Sequence, residues 1–333
     1  MRHINVALFV PDEGCPHRCS FCNQKTISGK SVRLTVEDIE NAVETALATA
    51  ECGDGEIAFF GGSFTAIEKS YMISLLEKGR EYVDKGLFRG IRISTRPDCI
   101  DEEILSLLKE YRVTSIELGC QSMDDEVLSL NRRGHTADDV VKAARLIKEY
   151  GFEFGVQMMT GLYGDTEEKS LKTAEKLISL GPDTARIYPT VVLENTTLAE
   201  LYKKGEYVPQ STEEAAEICA ELLLLFHQAD IRVIRLGLHS GGNVEEGFVA
   251  GAYHPAFREI AESKIYLRLI KDEIRKLNLK EGKIEITVGS SYVSMASGQK
   301  KSNITELSDI GYTAKIKGNS DYKKYEVSVR LTQ

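Results

Sequence analysis

Three cysteines fall within eight residues, in the run Cys15-Pro-His-Arg-Cys19-Ser-Phe-Cys22. Thiolates this close suit a soft metal or an iron–sulfur cluster. A four-iron cubane that only carries electrons takes four protein thiolates, so three leave one iron open. An open coordination position marks a catalytic rather than a structural metal site. Zinc is the alternative, with His17 as fourth ligand. Structural zinc sites, however, usually pair two ligand couples from separate segments, and the sequence offers no second couple. Cys52 lies at a helix end, Cys120 at a strand end and Cys219 on a helix. Free cysteine in such places is a small buried hydrophobe.

A rigid base must hold such a loop. The cysteines follow Ile4–Val10, the first of six strand candidates; the others are Glu56–Phe60, Ile91–Thr95, Ser115–Leu118, Phe152–Met159 and Thr184–Pro189. Helical spacing of apolar residues fills the gaps. Thr35–Ala50 sets Ile39, Val43, Ala46 and Leu47 on one face; Thr136–Tyr150 does so with Val140, Ala143, Ala144 and Ile147. Capping pairs Thr35/Asp38 and Thr136/Asp139 mark their starts, and Gly151 stands where a helix stop is wanted. Six β-then-α units imply parallel strands with right-handed crossovers, hence a doubly wound sheet or a complete or partial barrel. Barrels place chemistry on loops leaving the C-terminal ends of strands. A helix (Thr212–His227) and a strand (Ile231–Leu236) follow, then a Gly-rich stretch, Gly237–Gly251, read as an ordered loop. In the tail Lys264–Leu277 is helical, while Lys283–Val288 and Tyr325–Leu331 alternate like strands.

The chain has 333 residues, 42% hydrophobic and 28% charged, which excludes intrinsic disorder. No purely apolar run exceeds that of Leu222–Phe226, far short of the ~20 residues of a membrane span. Val6–Val10 is followed by Pro11-Asp12-Glu13, not by a signal-peptide cleavage site. A cytoplasmic, reducing setting is therefore expected, with the cysteines as thiols. The net charge of −9 hides a split: residues 271–333 hold 12 basic and 8 acidic residues, and the acidity lies before them. Nucleic acid is thus not excluded as a partner. The sequence carries no signal for oligomeric state.

The C-x3-C-x2-C spacing, with Phe21 before the last cysteine, resembles the radical S-adenosylmethionine (SAM) superfamily. Later segments agree in order: Gly61-Gly62-Ser63-Phe64-Thr65, Ser94-Thr95-Arg96-Pro97-Asp98, Glu117 to Asp124, Asn131 to Thr136, Gln157 to Gly164, and Arg186 to Pro209. Together, over Ala7 to Pro209, they resemble the branch of the elongator catalytic subunit (elongator protein 3), a wobble-uridine modifier of transfer RNA. Oxygen-independent coproporphyrinogen dehydrogenase is a more distant likeness.

The resemblance implies an α/β fold: a partial (β/α)6 TIM-like barrel of the radical SAM type over residues 1–236. A small α+β C-terminal extension follows over 237–333. It implies a 4Fe-4S cluster on Cys15, Cys19 and Cys22 whose open iron chelates SAM. Reductive cleavage then gives a 5′-deoxyadenosyl radical that abstracts hydrogen from a substrate. By the same likeness, Gly61, Gly62 and Ser63 meet the methionine amino group. Ser94 and Thr95 reach the ribose, Glu117 and Gln121 contact SAM, and Arg133 pairs with its carboxylate. Met158 and Met159 flank the adenosyl group. Gln157, Arg186, Tyr188 and His239 are candidate substrate contacts. A flavodoxin- or ferredoxin-like electron donor is implied.

Two departures stand out. Elongator subunits place a longer insertion between the first two cysteines, and they carry an acetyltransferase domain. The segment after Leu236 is too short for one. A partner could supply the acyl group. Lys300, Lys301, Lys315, Lys317, Lys323 and Lys324 make the tail a candidate RNA-binding face. The reading is a radical SAM enzyme acting on RNA. Its rivals are the same chemistry on a small molecule and a zinc-stabilised binding module.

Overall fold

The computed structural model describes residues 5–10, 15, 17–29, 32–49, 52–238 and 242–332. The strands among them are β1 (Val6–Val10), β2 (Glu56–Gly61), β3 (Gly90–Thr95), β4 (Val113–Gln121), β5 (Glu153–Thr160), β6 (Thr184–Pro189), β7 (Val191–Leu193), β8 (Arg232–Leu236), β9 (Phe248–Gly251), β10 (Gly282–Gly289), β11 (Tyr312–Asn319) and β12 (Val327–Leu331). The helices that matter here are α1 (Gln24–Ser28), α2 (Val36–Thr49), α3 (Lys69–Asp84), α4 (Glu102–Glu110), α5 (Asp125–Leu130), α6 (Ala137–Glu149), α7 (Glu167–Ser179), α8 (Thr197–Lys203), α9 (Thr212–Gln228), α10 (Gly242–Glu246) and α11 (Phe257–Lys276).

Seven parallel strands form one curled, open sheet in the order β1-β2-β3-β4-β5-β6-β8. The alternation of β4 shows how it is built. Ile116, Leu118 and Cys120 are fully buried in the apolar layer under the helices. Ser115, Glu117 and Gly119 point to the concave side, in step with Arg92 and Ser94 of β3 and Glu153 and Gln157 of β5, and a register shift then sets Gln121 opposite Met158. The helices close the outer face. On α6, Val140, Ala143, Ala144 and Ile147 are buried, Thr136 and Asp139 form a reciprocal capping box, and Gly151 ends the helix at φ 74°. Burying each large aliphatic side chain there stabilises the fold by about 1.5–3 kcal/mol.

The strand expected over Ile231–Leu236 adds a seventh to the six units of the sheet. β8 pairs with β6, and its Val233 and Leu236 join the apolar layer. The stretch 237–251 is not all loop: α10 forms within it, and β9 pairs antiparallel with β7. His239 lies outside the described residues. The tail holds three strands rather than two, with β10 central, parallel to β11 and antiparallel to β12. β12 starts at Val327, after Tyr325, whose φ of 64° takes the backbone out of the extended region. One face of α11 (Ala261, Ile265) enters the barrel core and another (Tyr266, Ile270, Ile274) enters the core of the three-stranded sheet. Lys264–Glu217 (2.7 Å) and Arg268–Glu221 (3.0 Å) tie α11 to α9. No helix among the described residues is long and apolar enough to cross a membrane.

Candidate active site

The cysteine loop leaves the C-terminal end of β1, and the residues between the cysteines fasten it. Ser20 is buried; its hydroxyl donates to Asn131 Oδ1 (2.6 Å) and its N–H to Asn131 O (3.1 Å). The Asn131 amide in turn donates to the carbonyls of Val127 and Tyr163, both at 2.8 Å. Phe21 packs against the apolar cluster of Val192, Leu198, Ala199 and Tyr207. Asn23 caps α1 and donates to Glu194 O at 2.9 Å. With Ser20, Phe21 and Asn23 turned into the protein, each sulfur meets a separate donor. Gln24 Nε2 donates to Cys22 Sγ at 3.3 Å, Arg133 Nη1 to Cys19 Sγ at 3.2 Å, and the Ser63 N–H to the Cys15 sulfur.

Burial, and then the neighbouring Cys19, push the Cys22 thiol up to about 12. The free loop therefore holds that thiol protonated, and a bound cation would expel the proton. Among the described residues no three His, Cys, Asp or Glu side chains close around a single ion. His17 lies against the loop after α5, where a side chain on Gly134 would come within 2.2 Å of its ring.

Gly61 ends β2 and Gly62 follows it. Gly61 has φ 120°, and a Cβ there would lie 2.4 Å from Val10 O, so only glycine fits. Its carbonyl accepts from Gln24 Nε2 at 3.2 Å. The next residues form a buried hydroxyl chain. Thr95 Oγ1 lies 2.9 Å from Ser63 Oγ and 2.6 Å from Thr65 Oγ1, which donates to Cys99 O. The Thr95 hydroxyl is thus occupied by protein, whereas Ser94 faces the concave side and accepts from Gln157 at 3.0 Å.

At the end of β4, Arg133 Nη2 donates to Gly119 O, and Arg96 donates to Arg133 O and, through two nitrogens, to Asp98. Yet Arg133 Nε, Arg96 Nη1 and Gln121 Oε1 are buried without hydrogen-bond partners. Gln121 sits at φ 64°, and around the bare Gly119 Cα lie Gln121 Nε2 and Arg133 Nη2. His135 reaches Cys120 O at 3.3 Å; burial and then Arg133 lower its pKa to about 4.

Deeper in the sheet the expected contacts diverge. Glu117, expected to reach SAM, has both oxygens taken. Arg186 binds it through two nitrogens (2.6 and 3.0 Å), Gln157 donates at 2.9 Å and Arg92 at 3.2 Å. Arg186 stacks 4.9 Å from the Phe60 ring centre and interacts with the Tyr188 hydroxyl. Met158 is fully buried in the apolar layer, whereas Met159 faces the concave side in register with Tyr188. Cys52, Cys120 and Cys219 are buried as expected. The sequence reading missed Gln24, Arg96, Phe60 and Cys99, a half-buried thiol beside Ser63. The one signal for Gln24 was its place two residues after Cys22, and Arg96 stood in the run Ser94 to Asp98.

A family model of the radical SAM superfamily matches residues 10–177, just over half the chain. The chain belongs to the radical SAM superfamily. A radical SAM C-terminal domain matches residues 182–267. The chain is 33% identical over 184 residues to a tRNA uridine(34) acetyltransferase of Methanocaldococcus infernus, covering 49% of this chain and 34% of that protein. It is 29% identical over 190 residues to human Elongator complex protein 3, covering 51% of this chain and 35% of that protein. The chain thus spans about a third of the length of these curated relatives. The solved archaeal Elp3 of M. infernus, with its N-terminus deleted, shares the fold: TM-score 0.62, 20% identity, 88% of this chain and 68% of that one.

The superfamily's cofactors are a 4Fe-4S cluster and SAM. The residues present fit them. Three sulfurs each meet one donor, as cluster thiolates do. Unpaired guanidinium nitrogens beside Cys19 suit a carboxylate.

Proposed function

We propose that this chain cleaves SAM reductively and acts on an RNA. The observation that carries the chemistry is the set of unsatisfied polar atoms of Arg133, Arg96 and Gln121 beside Cys19. Cys15, Cys19 and Cys22 would hold a 4Fe-4S cluster, which when bound would supply the electron for reductive SAM cleavage and so for radical hydrogen abstraction. Gly61, Gly62 and Ser63 offer backbone groups to the methionine amino group. Arg133 and Arg96 offer guanidinium nitrogens to its carboxylate. Gln121 completes that rim, and Ser94 and Met159 face the adenosyl moiety. Glu117 acts indirectly, by holding Arg186 over the Phe60 ring and beside Tyr188, where a substrate would rest on Gln157, Arg186 and Tyr188. A flavodoxin- or ferredoxin-like protein delivers the electron, and a reducing cytoplasm suits the free thiols.

RNA as the substrate class is supported by the relatives named for transfer RNA uridine modification. Lys300, Lys301, Lys315 and Lys323 stand exposed on the tail. Lys317 pairs with Glu285 and Lys324 with Glu262 (2.9 Å), which thins that face and favours, as second reading, a small-molecule substrate. Titrating a fluorescent transfer RNA across salt concentrations separates them. Four lysines on phosphates give a log–log slope of up to about −3. No binding at low salt selects the small molecule.

A further inference from the structure

We infer that Gln24 tunes the reduction potential of the cluster and ties it to the state of the Gly61 carbonyl. This rests on the reading that Cys15, Cys19 and Cys22 hold a cluster. Gln24 opens α1, and that helix start is held at two points: the Asn23 carboxamide oxygen accepts from Thr26 N–H (3.2 Å) and its nitrogen donates to Glu194 O (2.9 Å). From this fixed base one amide nitrogen with two hydrogens serves two acceptors, Cys22 Sγ at 3.3 Å and Gly61 O at 3.2 Å. The side chain is half-buried, so water screens it only in part.

Hydrogen bonds to cluster sulfurs are one of the protein's means of setting potential. A donor stabilises the more electron-rich thiolates of the reduced cluster, so Gln24 raises the potential. It does so without adding charge or titrating. Arg133 acts on Cys19 in the same sense with a full charge, but Gln24 differs in its second acceptor. Gly61 O ends β2 in a conformation open only to glycine, and two residues on, the Ser63 N–H reaches Cys15. The end of β2 therefore touches two of the three sulfurs, Cys22 through Gln24 and Cys15 directly. A ligand that engages Gly61 to Ser63 changes how firmly Gln24 holds Cys22.

The test is a reductive titration, followed by electron paramagnetic resonance, of the anaerobically reconstituted full chain and its Gln24→Leu and Gln24→Glu variants, with and without SAM. Gln24→Leu keeps the bulk and removes both donors. At a fixed poise its reduced-to-oxidised ratio falls up to tenfold, which is about 59 mV for one electron. Gln24→Glu replaces the donor by a carboxylate and lowers the potential further. SAM shifts the wild-type potential more than that of Gln24→Leu. Wild-type potentials in an iron-loaded variant, or equal shifts with SAM, overturn the inference. If Gln24→Leu loads no iron, Gln24→Glu alone decides. A wild-type chain that assembles no cluster instead defeats the reading on which the inference rests.

Discussion

The two ends of the half-barrel are both polar, and they treat their charges oppositely. At the N-terminal end, fully buried Arg92 meets Glu56 (2.6 Å), Glu153 (2.6 Å) and Glu117 (3.2 Å), while Arg89 reaches Glu56 and Glu153. Arg186 completes the set on Glu117. Three carboxylates face three guanidiniums, and the concave side is filled there by a neutral plug whose outer member, Arg89, meets solvent. At the C-terminal rim, Arg133, Arg96 and Gln121 keep buried polar atoms without partners. A buried polar atom left unpaired costs roughly 1–3 kcal/mol, so the rim is kept at the expense of stability. The contrast teaches that the plug serves the fold, with only Arg186 at its edge offered to a substrate, and that the rim serves a ligand.

Arg92→Met is the strongest way to break that contrast. It removes the one guanidinium that Glu56, Glu117 and Glu153 share, leaving three buried or half-buried carboxylates to Arg89 and Arg186 alone, and is expected to cost about 3–5 kcal/mol in denaturant unfolding. A loss below about 1 kcal/mol would mean that the plug is hydrated rather than sealed. The next effect lies at the rim and depends on pH. The folded-state pKa of His135 sits at about 4, below its ordinary 6.5, so the fold prefers the neutral ring. Its contribution is complete above pH 6.5 and is lost as pH falls towards 4, by up to about 3 kcal/mol. His135→Gln should flatten the unfolding free energy across that window. The carboxylates of the plug answer at lower pH, since burial opposed by Arg92 and Arg89 leaves Glu153 at about 2. The smallest effect is Thr95→Val, which removes the hydroxyl shared by Ser63 and Thr65. Calorimetry should show a loss of about 1–2 kcal/mol, because Thr65 keeps its bond to Cys99 O.

What the sequence revealed follows the range of the interactions. The cysteine spacing is local and was legible at once. So were the strands flanked by periodic helices and the Thr136/Asp139 cap. Position along β4 was legible for Glu117, but its partners come from β3, β5 and β6, and no local pattern shows that they fill its carboxylate. Gln24 meets Gly61 across 37 residues and Arg133 meets Cys19 across 114. Such pairs exist only once the sheet is curled. β11 was missed although Ala314 and Ile316 alternate with Thr313, Lys315 and Lys317, because its lysines were read as a charge patch rather than as one face of a strand. That same patch lost Lys317 and Lys324 to Glu285 and Glu262, partners invisible in a count of charges.

The central claim is that Cys15, Cys19 and Cys22 hold a cluster that cleaves SAM. Anaerobic reconstitution with iron and sulfide, comparing the wild type with Cys19→Ala, tests it most directly. The wild type should take up four irons, absorb broadly near about 400 nm and cleave SAM under reductant, and Cys19→Ala should do none of these. A wild-type protein that stays colourless and holds only zinc, or a Cys19→Ala variant that cleaves SAM at the wild-type rate, would contradict it.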